Sequence, residues 1–176
     1  MTPARSPLSR LLHFLAAALL AATGAAQADD YGAITRLIQA GQPAQALAQI
    51  DERLAATPKD PQLRFLRGVA QTDAGQAPAA IETFTRLTQD YPELPEPYNN
   101  LAVLYAQGDE LDKARAALEM AVRANPRYAT ALENLGDVYA RLAADAWRKA
   151  LAQGGANATA LQAKLALARQ LTPAQR

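Results

Sequence analysis

The stretch Tyr98-Asn99-Asn100-Leu101-Ala102-Val103-Leu104-Tyr105, followed by Ala114, Leu118, Ala121 and Pro126, decides the fold. Leu101, Ala102, Leu104 and Tyr105 fall at i, i+1, i+3 and i+4. Ala114, Ala117, Leu118, Ala121 and Val122 fall at i, i+3, i+4, i+7 and i+8. Each segment therefore reads as an amphipathic helix. Gly108 marks a turn between them, and Pro126 marks the exit. The same marks recur outward from this stretch. Pro58, Pro92 and Pro126 keep a constant step of 34, as do Ala46, Ala80 and Ala114 and the large apolar residues Ile50, Phe84 and Leu118. Gly41 and Gly75 keep the same step, with Gly108 one place early. A fixed period of this size signals an array of helix–turn–helix units, each burying its apolar face against its neighbours.

Small residues have a mechanical role in such an array. Gly68, Ala102 and Gly136 take one position on successive first (A) helices, and Ala80 and Ala114 take one position on second (B) helices. Without bulk there, the A and B helices of a unit approach closely, and Phe84, Leu118 and Tyr105 fill the seams. Helix propensity alone would not impose so regular a step on these residues.

These positions resemble the tetratricopeptide repeat family, over roughly residues 30–171. The third unit carries the resemblance best, with the fourth next in Leu132-Glu133-Asn134-Leu135-Gly136-Asp137-Val138-Tyr139. In the second unit, Arg64 and Arg67 replace the usual aromatic and leucine. In the first, Ile34 stands where a small residue is usual. The resemblance implies an all-α, right-handed superhelix of stacked hairpins forming a single domain over 29–176, with units at about 29–60, 61–94, 95–128 and 129–153. The fourth unit departs from the pattern. Ala129 to Ala152 holds no proline and no glycine except Gly136, while Trp147-Arg148-Lys149-Ala150-Leu151 resembles the later part of a B helix. Either the A–B turn tightens around 142–144 or the two helices fuse. The lack of a turn residue favours one long fused helix. Gly154-Gly155 then breaks the chain, and Asn157 is placed to cap a last helix over 157–171.

Positions 1–28 read as a leader: a basic start at Arg5 and Arg10, an apolar run over 11–22, and the small-x-small end Ala26-Gln27-Ala28. The apolar run is too short to span a bilayer comfortably. Export and cleavage after Ala28 are expected, placing the protein in the periplasm of a Gram-negative bacterium or secreting it, with no stable membrane insertion after cleavage. Cleavage would remove the only histidine, His13, and the only serines, Ser6 and Ser9; there is no cysteine. Ser–His and Cys–His nucleophiles and imidazole or thiolate zinc sites are then excluded. No catalytic residue, cofactor or metal is expected. Charges of both signs are interspersed, and no basic stripe points to nucleic acid.

In the resembled family, defined A-helix positions line a concave groove. They correspond here to Phe65 and Val69 in the second unit, Asn99, Asn100 and Val103 in the third, and Glu133, Asn134, Asp137 and Arg141 in the fourth. Asparagine offers both a donor and an acceptor to an extended peptide. Phe65 and Val103 supply apolar contact, and the acidic residues favour a basic or mixed-charge ligand. Asn100 and Asn134 can equally bond locally. Glu133 and Asp137, at i, i+4, are read as a solvated acidic face rather than an acid–base pair. The expected function is a non-enzymatic adaptor of the cell envelope that binds a protein segment. The competing expectation is a self-associating structural protein that dimerises through the fourth and last helices.

Overall fold

The computed structural model describes residues 31–155 and 157–171, and all of its regular structure is helical. The expected leader, with its expected cleavage after Ala28, lies outside these residues. The chain divides into two compact units at Ala74/Gly75. The division falls inside the second repeat, after its A helix.

The first unit holds α1 (31–39), α2 (Pro43–Ala56) and α3 (Pro61–Asp73). Ile34, Ala46, Ile50, Leu63, Leu66 and Ala70 form its core. Ile34 is completely buried despite its bulk. Asp60 fixes the start of α3 twice: Oδ1 accepts from the Leu63 amide at 3.0 Å and Oδ2 from the Tyr31 hydroxyl at 2.6 Å. One carboxylate thus caps α3 and holds it to α1.

The second unit holds α4 (Ala77–Asp90), α5 (Pro95–Gln107), α6 (Leu111–Ala124), α7 (Ala129–Ala152) and α8 (Ala158–Leu171). α5 and α6 form the hairpin of the third repeat. Tyr98, Ala102 and Ala106 of α5 join Ala114, Leu118 and Ala121 of α6 and Ala131 and Val138 of α7 in one core. The Tyr98 hydroxyl donates to the Thr88 carbonyl of α4 at 3.2 Å.

The two periodic features of the sequence have distinct geometric causes. After each B helix, proline occupies the second place of a four-residue turn, closed by Asp60 N–Thr57 O, Leu94 N–Tyr91 O and Tyr128 N–Asn125 O bonds of 3.1, 3.1 and 3.0 Å. Its fixed φ suits that place, where no amide proton is needed. After each A helix, one residue turns left-handed: Gly41 at φ 68°, Gly75 at 72°, and in the third repeat Asp109 at 59°. The third turn is therefore in phase at Asp109, and the expectation centred on Gly108 is corrected by one residue. Gly108 itself ends α5 at φ −81°. Amide bonds from Gln42 to the Leu37 carbonyl (2.9 Å) and from Glu110 to the Tyr105 carbonyl (2.8 Å) close these helix ends.

The next step of that phase is position 143, which lies inside α7. The fourth unit's two helices are one continuous helix of 24 residues, about 36 Å long. Gly154, at φ 73°, ends it. α8 begins as the sequence indicates, with Asn157 Oδ1 accepting from the Ala160 amide at 3.2 Å. It packs along α7 and buries Leu165 and Ala168.

Candidate functional site

A concavity of about 740 Å³ lies wholly within the second unit. It is open rather than sealed. Its floor is apolar: Ala102 and Ala106 of α5, Leu118 of α6, Val138 of α7, and Leu165 and Ala168 of α8. Its rim is charged by Asp109, Asp137, Arg141, Asp145, Arg148 and Arg169. Asn134, Asp137, Val138, Arg141, Ala144, Asp145 and Arg148 follow one another at steps of three or one, so a single long face of α7 forms one wall.

Val103, Asn134, Asp137 and Arg141 are the sequence candidates that line this cavity. Asn99 lies beside it, 7% exposed, and its side-chain oxygen accepts from Asn134 Nδ2 at 2.8 Å. Burying the two amides is tolerable because they satisfy one another. Asn100 makes the local bond open to it in the sequence: Nδ2 donates to the Glu96 carbonyl one turn back at 2.9 Å, and the residue does not line the cavity. Glu133 is exposed and also lies off the wall. Phe65 and Val69 are half-buried on α3, in the other unit.

Arg141 has a structural duty as well as a place on the rim. Nη1 donates to the Ala106 carbonyl at 2.9 Å and Nη2 to Asp109 Oδ1 at 3.0 Å. Ala106 offers one of the last carbonyls of α5; it also accepts from the Asp109 amide at 3.3 Å, and a cation beside it is favoured by the helix dipole. Asn134–Asn99 and Arg141–Ala106 each join positions 35 apart in sequence. Two polar ties thus lock one A helix to the next and fix the shape of the cavity between them. Further along the same wall, Arg148 pairs with Asp145.

Asp145, Arg148, Leu165, Ala168 and Arg169 are cavity residues absent from the sequence candidates. Asp145 and Arg148 were within reach, because a fused α7 prolongs the face that starts at Asn134. The α8 residues were not, since their place depends on how the last helix docks. Among the described residues, no cluster of three or more His, Cys, Asp or Glu could hold a metal ion, and no helix is long and apolar enough to cross a membrane. A mixed rim over an apolar floor can hold a side chain or a short segment by burial and orient it by charge.

Two family models, each described as a tetratricopeptide repeat, match residues 31–95 and 71–135. The tetratricopeptide repeat domain-containing protein PYG7, chloroplastic, of Arabidopsis thaliana is 50% identical over 50 residues, which are 28% of this chain and 17% of that protein. The crystal structure of YrrB, titled a TPR protein with an unusual peptide-binding site, is 26% identical with a TM-score of 0.54, over 58% of this chain and 53% of that one. A thermophilic TPR protein of Thermus thermophilus is 24% identical with a TM-score of 0.60, over 81% of this chain and 80% of its own, a likeness of fold. The chain spans under a fifth of the curated relative and about half of YrrB.

Proposed function

Because residues 31–135 of this chain belong to the tetratricopeptide repeat family, we propose that the protein is a non-enzymatic scaffold that holds a segment of another protein in the cavity of its second unit. The observation that carries this reading is the cavity itself: about 740 Å³, apolar at its floor and ringed by both signs of charge. Val103, Leu165 and Ala168 would take an apolar side chain. Asp137 would favour a basic group beside it, and Arg148 and Arg169 an acidic one. The likeness to YrrB supports a peptide as the ligand. The leader-like segment at positions 1–28 supports a place in the periplasm or outside the cell, as an adaptor for envelope proteins.

Site-specific photo-crosslinking in the native cell tests the reading. A crosslinker at Val103 should capture a discrete protein, whereas one at Ala116, exposed on α6, should not. The same products from both positions, or none from Val103, would remove the cavity from the account.

A further inference from the structure

Three positions on α7 repeat a face that α5 buries. Tyr98, Ala102 and Tyr105 on α5 are spaced by four and then three residues; Leu132, Gly136 and Tyr139 repeat that spacing one full period later. On α5, Ala102 is 1% exposed, in the core with Ala114, Leu118 and Ala121 of α6. On α7, Leu132 is 46% and Tyr139 47% exposed. Gly136 is exposed too, and a Cβ built on it would meet nothing within 4 Å.

The second half of the same helix carries the matching set. Ala143, Trp147 and Ala150 reproduce the four-and-three spacing of Ala114, Leu118 and Ala121. The α6 set is buried, whereas the α7 set is only half-buried. α8 reaches it from one flank, with Lys164 Nζ 5.6 Å from the centre of the Trp147 ring. The two sets never meet within one chain. Eight residues separate Tyr105 from Ala114, but three separate Tyr139 from Ala143. The five missing residues are those of the A–B turn, and a straight helix cannot fold its second half onto its first.

We propose that the occupant of this face is a second copy of the chain, with the two α7 helices packed antiparallel. Each copy's Leu132, Gly136 and Tyr139 receive the other's Ala150, Trp147 and Ala143. This restores between copies the A–B contact that each chain lacks within itself. The register closes on itself: to within half a residue, the three pairings centre on one two-fold axis beside Arg141, as an isologous interface requires. Gly136 provides room for the Trp147 indole. At 3.6 residues per turn, Leu132, Gly136, Tyr139, Ala143, Trp147 and Ala150 form one stripe along five turns. It lies on the side of α7 opposite the cavity wall, so this inference does not rest on the cavity's proposed role.

Light scattering of the purified protein should give twice the chain mass. Gly136→Leu should return it to a single-chain mass with helical content unchanged, because the space at Gly136 is open within one copy. Inserting five turn-forming residues between Arg141 and Leu142 should also give single chains, by letting 143–152 fold back onto 132–139. The double variant Leu132→Cys/Ala150→Cys should oxidise to a covalent dimer. Those positions are about 27 Å apart along one helix, beyond the reach of a disulfide, and the chain has no other cysteine. A single-chain mass at high micromolar concentration with no covalent dimer would overturn the proposal. So would dimers that persist unchanged in both Gly136→Leu and the insertion variant.

Discussion

The third repeat and the fourth unit lie side by side and show what an A–B turn does. In the third, α5 and α6 are joined through Gly108 and Asp109, and the face carrying Ala102 and Tyr98 is buried. In the fourth, the same face is chemically intact, as Leu132, Gly136 and Tyr139, and stands open. Burial is therefore not a property of the helix's own pattern. It follows from whether the chain can return, and five absent residues prevent that. The same absence lengthens the opposite face of α7 into a cavity wall that an ordinary repeat would lack.

One substitution made at both matching positions separates the two faces most widely. Ala102→Leu should destabilise the fold by about 1–3 kcal/mol through overpacking. Gly136→Leu should leave single-chain stability unchanged or raised by up to about 1 kcal/mol, since a helical glycine is replaced where space is open. Chemical denaturation of both variants at low concentration reads the difference; equal losses would mean that the two faces are equally enclosed.

Next in size is the tie between the units' A helices. Arg141→Ala removes the donor to the Ala106 carbonyl and the ion pair to Asp109. Asp109 is largely exposed, so its share is under about 1 kcal/mol. Together with the lost hydrogen bond, the expected loss is about 1–2 kcal/mol. An unchanged thermal midpoint would show that the tie is ornamental.

The turns give a smaller effect of opposite sign at equivalent positions. Gly75→Ala should destabilise by about 1 kcal/mol, because its φ of 72° disfavours any Cβ. Asp109→Gly should be neutral or stabilise by up to about 1 kcal/mol, relief of the left-handed backbone being partly offset by the lost contact with Arg141. Urea midpoints for both variants decide it.

The smallest effect is a titration. The Tyr139 hydroxyl donates to Glu119 Oε1 at 3.1 Å, and that hydrogen bond holds its phenol above the ordinary 10.0. The protonated form is favoured on folding. Its contribution is fully present below pH 10 and is lost as pH rises through the raised value. The phenolate absorbance of the protein minus that of Tyr139→Phe should show the delay, and Glu119→Ala should shrink it.

Much of this was legible in the residues. The regular step places Ala46, Ala80 and Ala114 in the core, where all three are buried, because helix packing fixes that spacing and only a small side chain fits. The fused helix was legible from the missing turn residues between Tyr139 and Trp147. The left-handed Asp109 was not, since glycine is the obvious resident of that place and Gly108 stands next to it. The cavity was half legible. The groove positions of the resembled family gave Val103, Asn134, Asp137 and Arg141, but the local bond of Asn100 to Glu96 and the docking of α8 depend on rotamers and long-range packing that no spacing encodes.

α7 runs unbroken through the place where a turn would stand. Spin labels at positions 132 and 150, in protein diluted with unlabelled copies so that only pairs within one chain are read, measure this most directly. An unbroken helix predicts a backbone separation of about 27 Å. A separation of about 10 Å, typical of packed helices, would mean that the chain turns back after all and covers its own face.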